Sequence, residues 1–188
     1  MLYKTINIPS QDEIVEELKD NFPLYFGKLD EIKPGFQGCN IPLIKKTCTK
    51  LSEFLKRKNL YERWRGAGMS ILKENFVLPI HSDSYLPGRC YALNIPIINC
   101  QDSYTIWYNI IDSSKVIKKA YTSNGVLVVS EHYEKNNTTE IERICSDSIM
   151  FVNVKTPHSG INLNNQTRAV LSLRFIPELS LEEIELFN

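Results

Sequence analysis

Two residues with the chemistry of metal ligands stand two positions apart, His81 and Asp83, in Val77-Leu78-Pro79-Ile80-His81-Ser82-Asp83. On an extended chain, side chains alternate between faces, so residues i and i+2 project together. A neutral imidazole beside a carboxylate suits a divalent transition metal. Two ligands do not make a site, and the third should be a histidine arriving from a distant strand. The chain has three histidines in all, which leaves His132 and His158. His158, in Thr156-Pro157-His158-Ser159-Gly160, follows the apolar run 149–154. His132, in Val129-Ser130-Glu131-His132-Tyr133, lies among acidic and polar residues near a turn and reads as an exposed strand-end residue. Ten residues beyond His158 comes Arg168. A guanidinium donates two parallel hydrogen bonds from a planar fork, which suits a buried carboxylate.

This ordered set, His81-x-Asp83, His158 and Arg168, resembles the Fe(II)- and 2-oxoglutarate-dependent oxygenases of the double-stranded β-helix (jelly-roll, cupin-like) superfamily. The resemblance covers about residues 69–176 and includes Thr156-Pro157-His158-Ser159-Gly160 leading to Thr167-Arg168-Ala169-Val170-Leu171-Ser172-Leu173-Arg174-Phe175. It implies that His81, Asp83 and His158 are catalytic residues, forming a triad on one face of Fe(II). It also implies that Arg168 holds the far carboxylate of 2-oxoglutarate. The implied reaction splits 2-oxoglutarate to succinate and carbon dioxide and uses dioxygen to hydroxylate a substrate. The family pattern has Ser or Thr two residues after the arginine. Here Val170 occupies that position, and Ser172 is the neighbouring hydroxyl that can substitute. Two other readings use the same sandwich: a cupin-like binding module without redox chemistry, and a Zn or Mn isomerase or hydrolase. Arg168 separates them from the oxygenase, because neither has a use for it at that spacing.

The remaining pocket candidates follow from alternation and polarity. Arg168, Val170, Ser172 and Arg174 fall on one face of a strand, so both arginines can look inward. The spacing in the family it resembles favours Arg168 for the oxo acid, which leaves Arg174 as a substrate anchor or, more simply, a surface charge. Asn94 is polar within an apolar strand and needs a partner if buried. The oxo acid or a ligating residue is one option, and a structural role the other. Trp107 is a candidate substrate wall, although large aromatics more often fill cores. Tyr85 and Arg89 lie in Ser84-Tyr85-Leu86-Pro87-Gly88-Arg89, directly after the metal motif, and are candidates for substrate contact.

The elements that must position these groups divide the chain unevenly. The first 65 or so residues read as helix-rich. Ser10 is expected to cap a helix running to Asp20, with Ile14, Val15 and Leu18 as its apolar face. The segment 33–38, rich in turn residues, reads as a loop. A second helix is expected from Asn40, along the stripe Leu43, Ile44, Cys48, Leu51, Phe54 and Leu55. Its lysines and Arg57 lie mostly off that stripe and read as a solvated face. Nine candidate strands follow: 70–73, 77–82, 90–97, 104–109, 115–122, 126–133, 139–145, 149–154 and 168–176. Ser123-Asn124-Gly125 is a hairpin signal, and 180–187 reads as a short helix capped by Ser180. Successive strands without an intervening helix indicate a sandwich or barrel. The expected fold is mainly β, a double-stranded β-helix with N-terminal supporting helices, as a single domain over 1–188.

Composition narrows the function classes. With 22 Lys+Arg against 22 Asp+Glu in 188 residues, the formal net charge is zero. A dedicated nucleic-acid binder normally carries a basic excess, so no nucleic-acid partner is expected. A 43% hydrophobic share excludes disorder. No apolar stretch of about 18 residues is present, so no membrane partner is expected. The five cysteines form no framework or close pair and read as reduced, mostly buried thiols in a cytoplasmic protein. The expected partners are dioxygen and a small-molecule or peptidyl substrate.

Overall fold

The computed structural model describes residues 1–83, 91–123 and 126–187, with side chains outside 120–129. In chain order the elements are β1 (Tyr3–Thr5), α1 (Gln11–Asp20), α2 (Phe22–Phe26), β2 (Gly35–Gly38), α3 (Ile41–Thr47), α4 (Thr49–Arg57), β3 (Trp64–Leu72) and β4 (Ile80–Ser82). There follow β5 (Tyr91–Ile98), β6 (Ser103–Ile110), β7 (Ile117–Ser123), β8 (Val126–Tyr133), β9 (Thr138–Cys145), β10 (Met150–Asn153), β11 (His158–Asn162), β12 (Arg168–Phe175) and α5 (Leu181–Glu185).

Among the described residues the strands form two six-stranded antiparallel sheets. Sheet one has the order β1-β10-β5-β12-β3-β2, and sheet two the order β7-β8-β4-β11-β6-β9. The pairings β3 with β12, β4 with β11, β5 with β10 and β6 with β9 are those of one long hairpin, β3–β6 against β9–β12. Successive strands of each arm alternate between the sheets. That winding is the double-stranded β-helix, and the chain is mainly β with this jelly roll at its centre. β1 and β2 widen sheet one, and the hairpin β7–β8 widens sheet two beside β4.

The N-terminal helices cover one face of sheet one. Ile14 and Leu18 of α1, Ile44 of α3, and Leu51 and Leu55 of α4 are buried in one cluster with Met69, Ile71, Leu93, Leu171 and Leu173. Fully burying such a side chain contributes about 1.5–3 kcal/mol. This layer holds sheet one rigid and leaves its opposite face to sheet two.

Several local expectations are corrected. The second helix is broken at Cys48, which has φ −105° and ψ 84°. The Glu17 carboxylate of α1 meets the new N-terminus, accepting from Thr49 Oγ1 at 2.7 Å and Lys50 N at 2.8 Å. An acid there satisfies unpaired N–H groups and the helix dipole. The apolar stripe survives the break, with Cys48 fully buried. Ser10 makes no side-chain cap, and its hydroxyl is buried without a partner. Within 33–38, Gly35–Gly38 is a strand, held by pairing with 68–71 of β3. β3 itself starts at Trp64, well before the expected 70. His158–Asn162, outside the candidate strands, is β11. The α5 cap is as expected: Ser180 and Glu183 form a reciprocal capping box. The turn Asn124-Gly125 lies outside the described residues, although β7 and β8 flank it as a hairpin. Cys39, Cys48, Cys100 and Cys145 are free thiols, and Cys90 lies outside the described residues. Among the described residues, no helix is long and apolar enough to cross a membrane.

Candidate metal centre

Sheet two lines up its histidines. The register pairs Ile117 with His132, His132 with His81, His81 with His158, and His158 with Trp107. Directly opposed residues of antiparallel strands project to the same face. One transverse row therefore carries all three histidines of the chain. The His81 and His158 ring centroids are 4.5 Å apart, and those of His81 and His132 6.1 Å. Asp83 follows the last residue of β4 and is tied down by its N–H, which donates to Val154 O at 2.8 Å. Its Oδ1 lies 3.9 Å from His81 Nε2.

The backbone sets the state of two rings. His81 Nδ1 is 2.8 Å from Pro79 O, and His158 Nδ1 is 3.0 Å from Thr156 O. A carbonyl only accepts, so Nδ1 carries the proton in both rings and the Nε2 lone pair is left to coordinate. Burial, then the His81 imidazole, push His158 down to about 4, so it stays neutral near pH 7. Burial alone would raise Asp83. Arg174, then His158 and His81, outweigh it and hold the carboxyl below its ordinary value. Arg174 does this by contact, its Nη2 donating to Asp83 Oδ2 at 2.7 Å and its Nη1 to Ser172 Oγ at 2.6 Å. Among the described residues no three His, Cys, Asp or Glu groups already converge closely enough to grip an ion. The donor set nonetheless fits Fe(II) or a similar divalent ion: two imidazoles whose Nδ1 contacts leave Nε2 to coordinate, and one carboxylate.

These groups face a cavity of about 500 Å³ between the sheets. Arg168 lines it, 3% exposed, with Nε and Nη1 lacking any hydrogen-bond partner. Among the described residues no carboxylate lies within ion-pair distance of it. Burial lowers its pKa, and the neighbouring Cys100 thiol opposes that only in part. A buried guanidinium without a counter-charge is costly, and an anion beside it would offset that cost. β11 makes room for it, since a Cβ on Gly160 would sit 3.3 Å from Arg168 Nη1. Asn94, in register with Ser172, also lines the cavity, and its buried Oδ1 has no partner.

The expected site residues divide by location. His81, Asp83, His158, Arg168, Asn94 and Ser172 share the cavity. Trp107 does not line it: the ring is fully buried, stacks on Tyr3 and donates to Asn153 O, so it is core rather than substrate wall. Arg174 is no surface charge, being 15% exposed in its side chain and paired with Asp83. His132 is no exposed strand end, because the β7–β8 hairpin sets it beside His81 in the cavity. Tyr85 and Arg89 lie outside the described residues. Sequence reasoning missed Phe36 and Ser130, which line the cavity, and the small residues Gly66, Gly68 and Ser70 facing β12. A Cβ on Gly68 would fall 1.9 Å from the Phe36 ring. The alternation Gly66-x-Gly68-x-Ser70 was the available signal for a face kept open.

No family model and no curated protein matches the chain. Among solved structures it is similar to a Pseudomonas putida prolyl-4-hydroxylase, at 9% identity over 91% of this chain and 89% of that one, TM-score 0.48. It is similar to EvdO2 from Micromonospora carbonacea var. aurantiaca, complexed with 2-oxoglutarate, at 10% identity over 98% and 99%, TM-score 0.42. It is also similar to CapF, at 11% identity over 57% of this chain, spanning 23% of CapF, TM-score 0.31.

Proposed function

We propose that the chain is an Fe(II)- and 2-oxoglutarate-dependent dioxygenase, a hydroxylase of a small-molecule or peptidyl substrate. The observation that carries this reading is Arg168, a buried cation that lines the cavity of His81, Asp83 and His158 and has no carboxylate within ion-pair distance among the described residues. A bound Fe(II) would pass to dioxygen the electrons released by oxidative decarboxylation of a 2-oxo acid and by oxidation of the substrate. His81, Asp83 and His158 would hold it.

The protein's own residues do the rest. The carbonyls of Pro79 and Thr156 fix the ring tautomers and orientations. Arg174 orients the Asp83 carboxylate and keeps it ionised, and Ser172 in turn holds Arg174. Arg168 takes the far carboxylate of 2-oxoglutarate, and its fork anchors and orients the acid so that the oxo end points toward His81, Asp83 and His158. Asn94 Oδ1 is free to accept from a ligand or an ordered water. Val152, Val154 and Val170 line the same cavity and exclude bulk water.

The test titrates 2-oxoglutarate, and pyruvate, which lacks the far carboxylate, into Mn(II)-loaded full-length protein. Pairing a buried charge is worth about 2–5 kcal/mol, so 2-oxoglutarate is expected to bind at least about 30-fold more tightly than pyruvate. Arg168→Ala should erase the difference. Equal affinity for both acids in the unmodified protein would remove the basis of the proposal. The unbroken row of histidines favours a second reading, a non-redox Zn or Mn enzyme in which His132 joins His81 and His158. His132→Ala should then abolish metal binding, whereas the dioxygenase reading expects that loss from His158→Ala.

A further inference from the structure

The histidine row divides the cavity into two ends. Two residues along β11 from His158, Gly160 meets Arg168. On the other side of the row, the register Ser82 with Glu131 runs on toward Asp83 and Ser130. The second end is bounded by Ser130 and His132 of β8, Gly66 of β3, Phe36 of β2 and Arg174, all lining the one cavity. These walls come largely from additions to the jelly roll: β2 at the edge of sheet one and the β7–β8 hairpin at the edge of sheet two.

Two features of this second end point to a ligand. His132 Nε2 is 2.8 Å from Ser130 Oγ, whereas its Nδ1 is buried with no partner. A buried ring nitrogen without a partner is a cost that a ligand hydrogen bond would offset. On sheet one, Phe36 is 54% exposed, its ring lies over Gly68, and it lines the same cavity.

We infer that this end is a substrate chamber for a molecule with a flat apolar body and a neutral hydrogen-bonding group, the body resting on Phe36 and the polar group on His132 Nδ1. The inference rests on the dioxygenase reading for the word substrate, but the chamber's chemistry does not depend on iron or on 2-oxoglutarate. A carboxamide suits it best, because it both donates and accepts and so matches either tautomer that Ser130 selects. The charges at this end, Asp83 and Arg174, already pair with each other, so a neutral group needs no further counter-ion there. His132 and Phe36 are positioning residues here and take no part in bond making.

The experiment measures binding of benzamide and toluene, matched in ring but not in polar group, to full-length protein free of metal and oxo acid. Protein-detected NMR reads the affinity. Benzamide is expected to bind at least tenfold more tightly than toluene. His132→Ala should remove that preference while leaving toluene affinity unchanged, and Phe36→Ala should weaken both ligands by a similar factor. His132→Phe, which keeps the ring volume, is the second variant if the alanine protein does not fold. Equal binding of the two probes to unmodified protein, or a preference that survives in both His132 variants, would overturn the inference. Because no metal is present, such a failure leaves the 2-oxoglutarate titration untouched. Loss of Mn(II) binding in His132→Phe would assign His132 to the ion and overturn the inference by a separate route.

Discussion

The two faces of β12 show opposite uses of one strand. Ala169, Leu171, Leu173 and Phe175 enter the layer beneath the helices, where burial is complete or nearly so. Arg168, Val170, Ser172 and Arg174, the residues between them, face the cavity. One face is satisfied entirely from within the chain. The other carries a guanidinium without an anion and a second guanidinium spent on orienting Asp83. Alternation with period two allows one strand to anchor the fold and hold the site without compromise between them. Polar atoms without partners on a well-ordered strand therefore mark where a ligand belongs.

Breaking the apolar face should have the largest effect on stability. Leu171→Ala is expected to cost about 2–5 kcal/mol, read as a lowered denaturant midpoint. Arg168→Ala, on the opposite face of the same strand, should cost nothing or raise the midpoint, since it removes an unpaired buried charge. A large loss of stability from Arg168→Ala would mean that the guanidinium is structural and the contrast between faces false.

The next effect is a pH dependence of the metal-free protein. His158 titrates at about 4 in the folded chain and near 6.5 when unfolded. Between those values the unfolded chain binds the extra proton, so stability rises with pH through that window and is flat above it. The carboxyl of Asp83, held below its ordinary value, adds a loss in the same direction at lower pH still. Denaturant midpoints from pH 4 to 7.5 should therefore climb in the unmodified protein and climb less in His158→Gln. A profile that is flat from 4 to 6.5 would place His158 in water rather than in the cavity. The smallest effect tests the helical layer alone: Glu17→Ala should cost about 0.5–2 kcal/mol through the lost cap of α4, with no change in oxo-acid binding.

How much of this was readable from the chain follows the same division. The inward set on 168–174 and the pair His81 and Asp83 are periodicity statements, and the structure places them together. β2 and β11 were not readable, because Gly35-Phe36-Gln37-Gly38 and His158-Ser159-Gly160-Ile161-Asn162 have little intrinsic strand preference and are strands through pairing with β3, and with β4 and β6. The break at Cys48 depends on Glu17, more than thirty residues earlier. His132 looks like a polar strand end in isolation, and only the edge pairing of β8 with β4 carries it to the centre of the molecule. Arg174 looks like a surface charge until Asp83 arrives from a different sheet. Each miss concerns a partner distant in sequence, which local pattern does not encode.

The central claim is that His81, Asp83 and His158 hold an ion while Arg168 holds the oxo acid beside it. Anaerobic addition of 2-oxoglutarate to the Fe(II)-loaded protein tests it most directly. A broad visible absorption band is expected, saturating at one oxo acid per chain, absent in His158→Ala and recovered in Arg168→Ala only at much higher oxo-acid concentration. Absence of the band in unmodified protein that has bound Fe(II) would contradict the account.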